Sequence, residues 1–207
     1  MVSTRILLIR HGESEWNAIG RWQGWADPDL SDLGRQQAFE AAQAVGAVDA
    51  VVSSDLQRAL QTALIISESI GVGPVQVEQA LRERDVGQWT GLTKVEIEER
   101  WPGSYDAWRT GAMPTPPDGE TNEGIIERVV GALQRIGETF PGAEVLAVAH
   151  GGVIRLLERN HGVETPPPCP NLGGVFVDVH DGGRLKVGDR VLLLDPSTDH
   201  VTAPPNL

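Results

Sequence analysis

The chain has 207 residues and a formal net charge of −12 at pH 7, with 17 basic against 29 acidic side chains. This length suits one domain with a substantial core, and the negative charge argues against nucleic acid as a partner, because most of such a surface repels phosphates. No apolar run is long enough to span a bilayer, so we expect no membrane partner.

Cys169 is the only cysteine, which excludes an internal disulfide and favours a reducing, cytoplasmic location. The apolar run near the N-terminus is too short for the core of a signal peptide, which agrees with that location. Because Cys169 lies among prolines, we expect its thiol to be inert in a loop rather than a nucleophile.

Short apolar runs alternate with amphipathic segments in the first half of the chain. Continuous apolar runs predict buried strands, and apolar residues at helical spacing predict helices. In chain order we expect a strand over 5–9, a helix capped by Ser31 and ended by Gly46, a strand over 50–52, a helix opened by Ser53-Ser54-Asp55, and a strand over 75–77.

The second half repeats the alternation and ends in two strands joined by a turn. We expect a helix over 123–138 with inward-facing Ile126, Val129, Val130, Leu133 and Ile136, a strand over 145–149, a helix including 153–157, and strands over 175–179 and 191–194 around the turn at 181–183.

This alternation predicts an α/β fold, a three-layer sandwich with a mostly parallel central sheet and helices on both faces. Residues 85–120 are rich in Trp, Pro and Gly, and we expect them to form a small helical cap over the site. We expect one domain over 1–195, and a flexible tail over 196–207.

Two strand-His-Gly units are the candidate catalytic motifs of the sequence. The first predicted strand ends in Arg10-His11-Gly12-Glu13, and a later one ends in His150-Gly151-Gly152. Ligands bind beyond the carboxyl ends of parallel strands, so both histidines are expected at one sheet edge. The Arg10 guanidinium offers a planar fork for two phosphate oxygens, and we expect Gly12 to leave space for a bulky anion.

The chain resembles the histidine phosphatase superfamily, in its phosphoglycerate mutase-like branch. The resemblance covers roughly residues 5 to 160 and depends on ordered motifs, which are specific together although Arg-His-Gly alone is weak. These motifs are the segments 10–17, 23–31 and 53–62, then Leu81-Arg82-Glu83 and Ala149-His150-Gly151-Gly152.

The resemblance implies that His11 is the nucleophile and becomes phosphohistidine, while Arg10, Arg58 and His150 surround the phosphoryl oxygens. It also implies that Glu83 is the general acid and then the general base. Further phosphate or substrate contacts are expected from Asn17, Gln23, Gly24 and Gly151. No metal or cofactor is expected, since the arginines neutralise the charge, and His11-x-Glu13 lacks a third metal ligand nearby.

Three functions stay open, and a hydrolase acting on a small phosphomonoester is preferred. The main alternative is a 2,3-bisphosphoglycerate-dependent phosphoglycerate mutase, which Glu83-Arg84 favours. Mutases carry His-Tyr-Gly where this chain has Asp85-Val86-Gly87, and paired arginines where it has Arg109-Thr110, so half of the second anion clamp is missing. A non-catalytic protein that binds phosphorylated ligands is the third. A homodimer is possible, but nothing in the sequence requires it.

Overall fold

A computed structural model describes residues 3–110 and 112–194 of the chain. Its strands are β1 (Ser3–Arg10), β2 (Ala50–Ser53), β3 (Gln76–Val77), β4 (Glu144–Ala149), β5 (Gly173–His180) and β6 (Arg184–Leu192). They form a six-stranded sheet in the order β3-β2-β4-β1-β5-β6. The first four strands run parallel, and β5 and β6 add an antiparallel hairpin at one edge.

The α-helices of the described residues cover both faces of this sheet. They are α1 (Glu15–Ala18), α2 (Asp32–Ala41), α3 (Gln57–Ile70), α4 (Lys94–Arg100), α5 (Ser104–Arg109), α6 (Asn122–Thr139) and α7 (Gly151–Asn160). Helices α2 and α3 pack on one face, and α6 and α7 pack on the other. The predicted three-layer α/β fold is therefore confirmed. Among these described helices, none combines the length and apolar character needed to cross a membrane.

Strand β1 lies between two hydrophobic cores, which explains its continuous apolar sequence. Ile6 and Leu8 pack into the core beneath α6 and α7, whereas Leu7 and Ile9 pack into the core beneath α2 and α3. Successive side chains of a strand point to opposite faces, so a strand that is covered on both faces is mostly apolar at successive positions. The strand is consequently held rigidly up to its carboxyl end.

Several predicted boundaries need correction. Strand β6 begins at Arg184 rather than at 191. The prediction missed its first residues because they alternate between partly buried and exposed positions and form no continuous apolar run. Helix α3 begins at Gln57, after Ser53-Ser54-Asp55, and the Asp55 carboxylate instead binds Arg82. In α6 Ile125 is fully buried, as are Val129 and Leu133, whereas Ile126 and Val130 are partly buried at the margin of the core. The predicted tail over 196–207 lies outside the described residues.

The segment over 85–120 contains α4, α5 and a short 3₁₀ turn at Gly87–Trp89. It is attached through a cluster of three buried indoles, Trp22, Trp89 and Trp108, whose ring centroids are 4.9 to 6.1 Å apart in edge-to-face pairs. Edge-to-face pairs of this kind stabilise packing beyond the apolar area that they bury. The cluster therefore fixes this segment against the turn after α1.

Candidate active site

The pairing of β1 with β4 brings the two histidines together. The strands run parallel with Arg10 opposite Ala149, so His11 and His150 leave the sheet at the same level. Their ring centroids are 5.2 Å apart at an interplanar angle of 63°. Both side chains are buried. The two units that were singled out in the sequence therefore form one site.

The His11 ring is held by its own backbone turn. Its Nδ1 lies 2.5 Å from the carbonyl oxygen of Gly12, and a carbonyl oxygen can only accept a hydrogen bond. Nδ1 consequently carries the proton, and the lone pair is on Nε2. The Nδ2 of Asn171 donates to the His11 carbonyl at 2.8 Å, which anchors the turn from its other side.

Gly12 has a different role from the one expected. A Cβ on Gly12 would lie 2.5 Å from the Gly34 carbonyl oxygen, and a Cβ on Gly34 would overlap the Glu13 carbonyl group. The two glycines allow the first turn of α2 to pack directly on the turn after β1. The expectation that Gly12 makes space for the anion is therefore wrong.

Both histidines are neutral in the folded protein around neutral pH. Burial lowers the pKa of His11 well below its usual value, and the charges of Arg58 and Arg10 lower it further. Burial also lowers the pKa of His150, again with help from Arg58. The Nε2 of His150 pairs with the Ser54 hydroxyl at 3.0 Å, while its buried Nδ1 has no hydrogen-bond partner among the described residues.

These lowered pKa values predict a pH-dependent stability. Below about pH 6.5 the unfolded chain binds protons on His11 and His150, whereas the folded protein does not. The free energy of unfolding should therefore fall as the pH decreases through that value, by at most about 1.4 kcal/mol per histidine for each pH unit. Urea unfolding of the wild type and of His11→Gln at several pH values would measure this. If the free energy of unfolding changed with pH as steeply in the variant as in the wild type, the prediction for His11 would be wrong.

Two buried arginines flank the histidines. The Nη1 of Arg10 donates to the Cys169 carbonyl at 2.8 Å. Arg58 donates to the carbonyls of Ala26 and Gly24, both at 2.9 Å, and its buried Nε has no partner among the described residues. Burial lowers the pKa of Arg58 to about 10, so it remains charged at neutral pH.

Glu83 lies against the start of α7. Its Oε2 accepts from the Gly152 amide at 3.1 Å and its Oε1 accepts from the Arg84 amide at 2.8 Å. A Cβ on Gly152 would lie 2.5 Å from Oε1, so a side chain at this position would displace the carboxylate from where it lies. The second glycine of the downstream motif therefore has a specific structural reason.

These groups open into one cleft of about 600 Å³, its open mouth included. The lining combines charged and polar side chains with apolar ones. The charged and polar residues are Arg10, His11, Gln23, Arg58, Glu83, Arg84 and Arg155, the apolar residues are Trp22, Val86, Trp108 and Leu156, and Gly24, Gly151, Gly152 and Cys169 complete the lining. The cleft can hold a small anion against His11 with an organic group beside the indoles.

Two predicted contacts lie outside this lining. His150 packs beside His11 in an edge-to-face arrangement and is not among the lining residues. Asn17 closes a capping box on α1, in which its Oδ1 accepts from the Ser14 amide at 3.2 Å. Its buried Nδ2 has no partner among the described residues.

Sequence reasoning did not place Arg84 or Arg155 in the site. Arg84 is 1% exposed and its Nε donates to the Glu120 carbonyl at 3.0 Å, but Nη1 and Nη2 have no partner within the described ranges. Its guanidinium lies 5.1 Å from the ring centre of Trp108. Arg155 had a detectable signal, since it is a cation inside the apolar run Val153-Ile154-Arg155-Leu156-Leu157. For Arg84 the sequence carried no signal beyond its position after Glu83.

Comparison with known proteins shows the family to which the chain belongs. The family model of the histidine phosphatase superfamily (branch 1) matches residues 6–166. A glucosyl-3-phosphoglycerate phosphatase of Mycolicibacterium vanbaalenii is 38% identical over 162 residues, covering 74% of this chain and 72% of the relative. A 2,3-bisphosphoglycerate-dependent phosphoglycerate mutase of Parvibaculum lavamentivorans is 36% identical over 161 residues, covering 73% and 77%.

Among solved structures, a mycobacterial glucosyl-3-phosphoglycerate phosphatase in complex with VO3 superposes with a TM-score of 0.78 at 32% identity, covering 88% of this chain and 96% of the other. Fold, site and relatives together define a phosphomonoester hydrolase. The chain belongs to the histidine phosphatase superfamily, branch 1. The resemblance found in the sequence is thereby confirmed.

Proposed function

We propose that this protein hydrolyses small phosphomonoesters without a metal ion, through a phosphohistidine formed on His11. The observation that carries the proposal is a buried neutral imidazole, protonated on Nδ1, that lies beside the charged groups of Arg10 and Arg58. Such a ring offers its Nε2 electron pair to phosphorus while the guanidinium groups hold the phosphoryl oxygens.

In the first step Nε2 of His11 bonds to phosphorus as the bond from phosphorus to the ester oxygen breaks. A protonated Glu83 gives its proton to the departing alkoxide, so that an alcohol leaves. In the second step water attacks the phosphohistidine, Glu83 takes a proton from that water, and the P–N bond breaks. Inorganic phosphate leaves, and both groups return to their starting forms.

Charge stabilisation in both steps is assigned to Arg10, Arg58 and His150. Phosphoryl transfer proceeds through a loose transition state with its charge spread over the three non-bridging oxygens. Donors already fixed around those oxygens stabilise it, at roughly 3 kcal/mol for each donor. Gln23, Gly24 and Gly151 line the cleft and are assigned substrate contacts. Asn17 is assigned a further contact through its Nδ2, which has no partner among the described residues.

We further assign the substrate a second anionic group that binds Arg84. Buried guanidinium nitrogens without a partner are costly, and Nη1 and Nη2 of Arg84 have none among the described residues, while burial lowers the pKa of Arg84 only to about 10, so it stays charged. A carboxylate would satisfy Nη1 and Nη2 in the planar two-bond arrangement that guanidinium groups favour. Trp22, Trp108 and Val86 would then contact the carbon skeleton between the two anions.

The proposal is tested by measuring phosphate release in the presence of a chelator. The substrates are p-nitrophenyl phosphate and a matched pair, 3-phosphoglycerate and glycerol 3-phosphate, which differ in one carboxylate. We expect release from all three, with a higher kcat/KM for the carboxylated member. No release from any ester would overturn the proposed function, and 2-phosphoglycerate formation that depends on 2,3-bisphosphoglycerate would identify a mutase instead.

Arg84→Met should separate the two members of the pair. It removes the proposed carboxylate contact and should lower kcat/KM for 3-phosphoglycerate by about 10- to 100-fold, with little effect on glycerol 3-phosphate. The second substrate is the internal control for folding. Equal losses on both substrates would show that Arg84 does not recognise the carboxylate.

A further inference from the structure

Residues 166–168 are three consecutive prolines, followed by Cys169 and Pro170. Proline has no amide hydrogen, so this loop can be tied to the rest of the protein through its carbonyl oxygens but not through the backbone N–H groups of its prolines. Each proline also restricts φ, which makes the loop stiff. Donors from elsewhere in the chain are therefore needed to hold it in place.

Arginines from three separate elements supply those donors. Arg155 in α7 donates from Nε to the Pro166 carbonyl at 3.2 Å. Arg190 in β6 donates to the Pro167 and Pro168 carbonyls at 2.5 and 3.1 Å. The Cys169 carbonyl, next along the loop, accepts from Arg10 at 2.8 Å.

Arg190 is itself fixed by a second set of bonds. Its Nε and Nη2 bind the two carboxylate oxygens of Glu158, both at 2.7 Å. Glu158 is 6% exposed on its side chain and lies on α7, whereas Arg190 is 27% exposed and lies on the edge strand β6. The guanidinium therefore joins helix, edge strand and loop in one planar arrangement.

The loop also sets the position of Arg10 in the cleft. A Cβ on Gly151 would lie 3.3 Å from Cδ of Arg10 and 3.7 Å from the Cys169 carbonyl oxygen, so these groups are closely packed. A displaced Cys169 carbonyl would release Nη1 of Arg10 and allow the guanidinium to turn. The thiol of Cys169 is not part of this role, since burial raises its pKa to about 11 and keeps it protonated.

We propose that Arg190 is a positioning residue, which acts on catalysis by holding the proline loop so that the Cys169 carbonyl aims Arg10 at the phosphoryl group. This inference rests on the proposed phosphatase activity. It assigns a catalytic consequence to a side chain on the outer strand of the hairpin, which contributes nothing to the lining of the cleft.

The test compares Arg190→Met with Arg135→Met, using p-nitrophenyl phosphate and inhibition by orthovanadate. Arg135 binds Glu78 through two hydrogen bonds on the surface, so its variant removes an ion pair of the same kind without touching the loop. We expect Arg190→Met to lower kcat by about 10- to 100-fold and to weaken orthovanadate by a similar factor. Arg135→Met should keep both values.

Coupling to Arg10 separates positioning from a general structural effect. If Arg190 acts through Arg10, then adding Arg190→Met to an Arg10→Lys variant should change kcat less than twofold. Multiplied losses in the double variant would overturn the proposal, as would unchanged kcat and orthovanadate inhibition in a folded Arg190→Met protein. Absence of activity in the wild type would instead overturn the proposed function.

Arg190→Lys keeps the test decisive if the methionine variant does not fold. Lysine retains the charge but cannot bind Glu158 and both proline carbonyls in one plane. We expect a folded Arg190→Lys protein to lose at least about fivefold in kcat and to show the same coupling to Arg10→Lys. Wild-type kcat in this variant would overturn the proposal.

Discussion

Replacing His11 with alanine should lower phosphate release by at least about 10³-fold. The change removes the proposed nucleophile of the first step. The neighbouring imidazole of His150 has its Nε2 paired to Ser54. Binding groups for the phosphoryl oxygens stay in place, so inorganic phosphate should still bind. The measurement is steady-state release, combined with rapid quenching of enzyme mixed with ³²P-labelled substrate.

The quenched wild type should carry acid-labile, base-stable phosphate, and the His11→Ala protein should carry none. His180→Gln is the matched control, because His180 lies opposite Ser3 at the other end of the sheet. It should keep full activity and labelling. If His11→Ala retained turnover, or if the label remained, the phosphohistidine assignment would be wrong.

Glu83→Gln should slow the enzyme in a way that depends on the leaving group. An alkoxide needs a proton as it departs, so alkyl phosphates should lose about 10²- to 10⁴-fold in kcat/KM. Nitrophenolate departs without a proton, so the first step with p-nitrophenyl phosphate should remain fast. The second step still lacks its base, because glutamine cannot accept a proton from water.

Glu83→Gln should therefore release one equivalent of nitrophenol in a burst and then turn over slowly, with phosphoenzyme accumulating. Stopped-flow absorbance measures the burst, and Glu78→Gln provides a surface control for the same chemical change. Equal losses on nitrophenyl and alkyl esters, without a burst, would remove Glu83 from the role of general acid and base. The burst would also support a phosphoenzyme intermediate independently of any substitution at His11.

The proposed catalytic positions could be identified from the sequence because their signals are local. His11 and His150 each follow a buried apolar run and precede glycine, and β1 and β4 then pair as parallel neighbours. Arg58 was identified within the motif over 53–62 that supports the family resemblance, and it lines the cleft. Such features need only a few adjacent residues to be recognised.

The arginines Arg84 and Arg190 were harder to predict from the sequence. Arg84 was considered only as a sign of mutase character, and its importance arises from two nitrogens that lack partners in the described parts of the chain. Arg190 belongs to a segment where the predicted strand began too late. Whether an arginine is paired depends on residues distant in sequence, so no local pattern predicts it.

The sequence by itself determined the family, the three-layer fold and the placement of two histidines at one sheet edge, because hydrophobic periodicity and glycine turns act over short segments. Only the tertiary structure decided which tryptophans line the cleft, which groups pack against Gly12 and Gly152, and which carbonyl holds Arg10. These depend on close packing and on hydrogen bonds between groups far apart in the chain, which are established only when the layers assemble.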